Sequence, residues 1–430
     1  MKRWDVNEVD GASTTPLIWA VRQGHEEVVS LLLRQKHIQP DLQEAISGRT
    51  ALSWAAGNGH EGVVKLFLGP RFVNPESIGR RWGKAARAAD VLFCGRHANP
   101  DRSCNYGETP LSWAATNGHK GTVNLLLARK DVNPNRSCQS GQTPLSWAAW
   151  NGHGRIVKLL LELEDVNSNG SGKPSGTPLL LAVQKNHEGI VKLLLERKGV
   201  NPEIPDGLYC QTPLSWASKN GHEGIVKLLL GREDINPNGS SQSDRTPLLW
   251  AVGNGHERIV KLLLGREDVN PNIPDITYGQ TPLLWATKQG HEGTVKRLFE
   301  RKDVNPDIPD TGDGRTPLGW AVRSGDEGTV KLLLDRKDVN PDSLSNSGRT
   351  PLSWAAENGH ERIVKLLLGL NDFNPEIPHT WYGQTPLLLA ARHGHQGIVK
   401  LLWGRKMSTP TVQIYMAKHR LCSPRTKGTI

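Results

Sequence analysis

Cysteine is scarce in this 430-residue chain: Cys94, Cys104, Cys138, Cys210 and Cys422 are five, an odd number, with no C-x-x-C pair. That argues against a disulfide scaffold and a cysteine zinc site, and fits a reducing intracellular compartment, cytoplasmic or nuclear. On that reading the sequons at Asn135, Asn169 and Asn238 carry no meaning. Long apolar runs are lacking too. No 18-residue apolar stretch occurs, so no membrane span is expected. The start, "MKRWDVNEVD", has no apolar stretch either and reads as no secretory signal.

Chemistry-bearing constellations are also missing. No Ser/His/Asp, Cys/His or paired-carboxylate set stands apart from a repeating background, so no enzyme and no cofactor is expected. "NGSGKPSG" at 169–176 imitates a phosphate loop, but Pro174 stands where Ser or Thr should meet magnesium and Asn167 where the first Gly should be. Histidines such as His119, His153 and His187 fall one per repeat. Packed helices lie roughly 8–10 Å apart, too far for successive histidines to share an ion, so no metal is expected.

Net charge is +10, and its location matters more than its size. Residues 80–102 hold six Lys/Arg against Asp90 and Asp101, and residues 404–430 hold six with no acid. The rest of the chain is formally neutral and offers phosphate no continuous basic footprint, which argues against nucleic acid.

What the chain does have is one phrase written many times. "GRTPLSWAAENGHERIVKLLL" at 348–368 has a near-copy at 210–230. The anchoring threonines are Thr15, Thr50, Thr109, Thr143, Thr177, Thr212, Thr246, Thr281, Thr316, Thr350 and Thr385, spaced 34 or 35 residues apart except for 59 after Thr50. Thr is an N-cap and the Pro after it suits the first helical position. A left-handed turn follows, with Gly in ten copies and Asn186 in the other. "HERIVKLLL" then reads as an amphipathic second helix whose lysines face outward, and "DVNPDIPDTGDG" as turn chemistry suited to a projecting hairpin. Such a short pair buries its apolar face only by stacking on neighbours.

T-P-L-x-x-A, then G-H, a Leu triplet and D-V-N at this period resemble the ankyrin repeat, over roughly residues 12–403. The resemblance implies an all-α fold: a solenoid of stacked helix–turn–helix units with projecting β-hairpin loops. The family's T-P-L-H histidine is replaced, most often by Ser or Leu, implying a lost inter-repeat hydrogen bond. Trp usually fills the next position, with Leu181 and Leu389 as substitutes, which reads as a core packing slot.

The expected organisation is a remnant hairpin at 1–11, two repeats at 12–70, a degenerate repeat at 71–105, nine repeats at 106–403 and a basic, disordered tail at 404–430. Neither end carries the polar outer face of a capping repeat, so the array is expected to continue into, or meet, something larger. The resemblance implies non-catalytic binding of another protein through a concave groove. There, two residues before the turn glycine, the copies differ, and Arg22, Trp150, Lys219, Lys288, Arg323 and Arg392 are candidate contacts. Three residues before the T-P-L threonine, near the hairpin tip, stand Tyr106, Tyr209, Tyr278 and Tyr382, with Trp381 adjoining, and exposed aromatics of this kind are typical hot-spot residues. The alternative is the recognition arm of a larger receptor. The "DVNPD…GRTPLSWAAENGH" flavour resembles the ankyrin tails of fungal NACHT-type receptors, whose ATPase is not in this sequence.

Overall fold

The threonine caps explain where the helices begin. In a computed structural model, in all eleven copies, Thr Oγ1 accepts the backbone N–H three residues on, at 3.1–3.3 Å. The structure describes residues 5–69, 98–170, 176–240, 245–370, 373–375, 377 and 383–404. Most of the degenerate repeat, residues 171–175 of the phosphate-loop imitation, Trp381, Tyr382 and the tail beyond 404 lie outside the described residues. Those described form twenty-two helices in stacked pairs, from Pro16–Arg22 and Glu26–Leu33 to Pro386–Arg392 and Gln396–Trp403, with no strand among them.

The turn between paired helices is left-handed as expected: φ is +78° at Gly325 and +57° at Asn186. Gly325 has a second duty. A Cβ there would lie 2.7 Å from the His360 ring of the next repeat, so glycine satisfies both the backbone and the stacking. Each second helix buries one face. In Glu361–Leu368 these residues are Ile363, Val364, Leu367 and Leu368, while Lys365 points outward and pairs with Glu361 at 2.8 Å. Each such aliphatic side chain taken out of water contributes roughly 1.5–3 kcal/mol.

The projecting loops differ from ladders. One backbone bond closes each, as from the Asp275 N–H to the Gln280 carbonyl at 3.1 Å and from Asp310 to Arg315 at 3.0 Å. Within the loop other N–H groups go to a side chain, as Tyr278 and Gln280 donate to Asp275 Oδ1. The outer ends are tied by arginines. Arg129, Arg232, Arg266, Arg301 and Arg336 each meet the Asp two residues on at 2.5–2.6 Å. Arg232 and Arg301 also donate to carbonyls of the preceding repeat, Leu195 at 2.8 Å and Arg266 at 2.7 Å.

Contacts divide the chain into two compact units, Met1–Ala217 with Lys227–Ile235, and Ser218–Val226 with Asn236–Ile430. Within each, first helices pack on first helices and second helices on second helices of the adjoining repeats.

Candidate functional site

The variable position ends the first helix, and its backbone is spoken for. His60 Nε2–H donates to the Arg22 carbonyl, His153 to Thr116, His187 to Trp150, His256 to Lys219, His360 to Arg323 and His395 to Glu357, at 2.9–3.4 Å. The turn histidines therefore join one repeat to the one before. They restore between repeats the kind of bond that the missing T-P-L-H histidine led us to expect lost. Ser in that place has a local role: Ser112 and Ser146 Oγ meet the capping Thr Oγ1 at 3.2 and 3.1 Å.

The loop tips follow the same logic. The carbonyls of Ser47, Tyr106, Tyr278 and Asp313 each accept the N–H of a residue in the next repeat's tip, at 2.8–3.0 Å. At Arg22, Trp150, Lys219 and Arg323, and at Tyr106 and Tyr278, the neighbouring repeat thus holds the backbone carbonyl and leaves the side chain free of that bond. Tyr106, Tyr209 and Tyr278 are 61%, 57% and 55% exposed. Lys288, Arg323 and Arg392 are exposed, and Arg22, Trp150 and Lys219 half-buried.

The tryptophan ladder corrects the sequence reading. Leu181 and Leu389 are buried in that slot, but Trp19 is exposed and Trp54, Trp113, Trp147, Trp216, Trp250, Trp285, Trp320 and Trp354 are half-buried. An indole is larger than the slot that holds a leucine, so it reaches the surface, where cations cover it. The variable residue leans over the next repeat's ring: Arg22 over Trp54 at 4.3 Å, Lys219 over Trp250 at 4.5 Å, Lys288 over Trp320 at 4.8 Å and Arg323 over Trp354 at 5.4 Å. Trp150 is itself covered, by Lys185 at 4.0 Å.

A second set of cations escaped the sequence reading. Where Arg precedes the capping threonine it lies between consecutive rings: Arg49 is 3.8 Å from both Trp54 and Trp113, and Arg315 4.8 and 4.7 Å from Trp320 and Trp354. Arg245 takes the same place, and Arg349 lies over Trp354 at 4.4 Å, the next copy having Leu389 instead of a second ring. The signal was present as the R of "GRTPL", hidden because most copies carry another residue there. Burial pulls the Arg49 guanidinium down to about 10, so it remains charged at neutral pH. Burial, then the nearby Arg323, also lowers Arg315.

Among the described residues no three His, Cys, Asp or Glu converge to hold a metal, and no helix is long and apolar enough to cross a membrane. The family model for ankyrin repeats (three copies) matches residues 2–77, 82–170, 132–206, 163–241, 179–275, 214–310, 267–343 and 337–413. No curated protein matches the chain significantly.

Proposed function

Because the chain belongs to the ankyrin-repeat family, whose repeats generally mediate protein–protein interaction, we propose that it is a non-catalytic intracellular scaffold. It binds a partner protein through the variable ends of its first helices and the exposed loop tips. One observation carries this reading: the next repeat holds the backbones of Arg22, Trp150, Lys219, Arg323, Tyr106 and Tyr278, while the side chains at these positions change from copy to copy. A rigid frame with interchangeable side chains is how a fixed fold acquires specificity at low ordering cost.

The test replaces Arg323, Tyr278 or Trp150 with a photo-crosslinking residue in the full chain and identifies what is captured in cells. Crosslinks should form at these sites and not at the outward Lys365. A partner caught only through position 365 would move the binding face elsewhere. The finer alternative, the recognition arm of a NACHT-type receptor, rests on the wording of the repeats; under it the native transcript encodes an ATPase in frame upstream.

A further inference from the structure

The face of the second unit is unevenly charged once its internal pairs are set aside. Asp275 and Asp310 are buried and accept the Trp285 and Trp320 Nε1–H at 3.2 and 2.6 Å. Asp313 meets Arg315 at 2.6 Å, and Glu357 meets Arg349. The acids on this face are thus occupied. Lys288, Arg323 and Arg392 are exposed, and among the described residues none of them pairs with a carboxylate. Lys219 stands at the same position of an earlier repeat in the unit.

Arg323 shows what such a cation offers. Its guanidinium carbon lies over the Trp320 and Trp354 rings, 5.4 Å from both centroids. A guanidinium binds rings with its face and carboxylates with its edge, where its N–H donors lie in a fixed fork. Contact with two rings restricts where the side chain can go, which lowers the entropy lost when a carboxylate arrives.

The repeat sets the spacing. Packed helices are roughly 8–10 Å apart, and an extended chain advances about 3.3 Å per residue, so neighbouring repeats face ligand residues about three apart. Lys288 and Arg323 are in adjacent repeats, while Lys219 and Arg392 each stand a further two repeats away. Resting on the scaffold reading above, we propose that the partner presents an extended acidic segment. Its carboxylates recur at multiples of three residues, and it lies along Lys219, Lys288, Arg323 and Arg392. Single-stranded nucleic acid fits less well. It needs open aromatic faces for its bases, and here Trp320 and Trp354 are already flanked by Lys288, Arg315, Arg323 and Arg349.

The experiment titrates the full chain with three probes, reading tryptophan fluorescence and calorimetry in low and moderate salt. One probe is a Gly/Ser 16-mer with Glu at every third position. The second has the same composition with its glutamates contiguous, and the third is a 16-nucleotide oligouridylate. The spaced peptide should bind at least tenfold more tightly than the clustered one and weaken with salt. The triple variant K288Q/R323Q/R392Q should lose that binding tenfold or more at an unchanged melting temperature. R323K, which keeps the charge and loses the fork, should lose several-fold, and K365Q on the outer face of a second helix should change nothing. Equal affinity for both peptides, indifference to the triple variant, or tighter binding of the oligouridylate overturns the proposal. A partner crosslinked at position 323 with no affinity for the spaced peptide overturns it while leaving the scaffold reading in place. Absence of both removes the two together.

Discussion

A single loop position decides how each tryptophan is held. Asp10, Asp206, Asp275 and Asp310 accept Nε1–H from Trp19, Trp216, Trp285 and Trp320 at 2.6–3.2 Å. Cys104 and Cys138 occupy the same loop-closing place, and there the Nε1 atoms of Trp113 and Trp147 are buried without a partner. Cys138→Asp should supply the missing acceptor and stabilise the protein by about 1 kcal/mol, the net worth of a typical buried hydrogen bond. Cys138→Ser should give less, and urea unfolding of both variants checks the order. Asp10 and Trp19, nine residues apart like Cys138 and Trp147, show that the spacing permits the bond. Cys210 is a separate case. It holds φ at +51° where Gly279, Gly314 and Gly348 stand in other repeats. A side chain in that region costs roughly 1–2 kcal/mol, so Cys210→Gly should raise the melting temperature, and no rise would show that the loop compensates the strain.

Between elements, the loops are joined by a ladder of side-chain amides. Asn272 Oδ1 accepts the Asn305 N–H at 2.8 Å while its Nδ2 donates to the Asp303 carbonyl at 2.7 Å. Asn135, Asn169 and Asn238 do the same. Elsewhere the ladder residue is Asp. Asp41 accepts the Asn99 N–H with both oxygens, at 3.0 and 3.2 Å, whereas Asp101, Asp307 and Asp342 accept the N–H with one oxygen and their Oδ1 atoms are buried without a partner. Burial raises all three carboxyls above their ordinary values. The folded state therefore holds these protons more readily than the unfolded chain. Stability from these groups rises as pH falls through the raised values, and the gain is complete below the unfolded carboxyl range. Above the raised values the charged, half-paired carboxylate is a cost. Asp307→Asn should thus stabilise at neutral pH by about 1 kcal/mol, by completing the ladder bond, and the advantage should shrink in acid. An equal gain at every pH would separate the effect from the carboxyl's titration.

Caps, turns and helix pairs could be read in the sequence because each depends on residues within a few positions of one another, as Thr316 does on Gly319. The histidine ties, the amide ladder and Arg315 between two rings join residues about 35 positions apart, and periodicity marks such residues as important without saying what they touch. Trp was misread because Leu replaces it in two copies. Equal hydrophobicity hid unequal size, and an indole that overfills its slot becomes surface.

For the whole molecule the question is which of its positive charges bind. Six of the ten excess charges lie in residues 404–430 and four in 80–102, while the exposed cations on the second unit's face stand among carboxylates in a formally neutral stretch. Charges on a segment that is not part of stacked repeats act at the range of the Debye length, roughly 8 Å at physiological salt, and without regard to spacing. Charges held on stacked repeats act at contact and respect spacing. The two contributions separate by truncation. Removing residues 405–430 should weaken retention on a heparin column, because that is set by total charge. It should leave the affinity for the spaced acidic peptide within about twofold, because the tail supplies none of Lys219, Lys288, Arg323 and Arg392. The substitution of Lys288, Arg323 and Arg392 by Gln should do the reverse, removing peptide affinity and moving the column position little. If truncation abolishes peptide binding, recognition resides in the basic tail and the repeats serve only to present it.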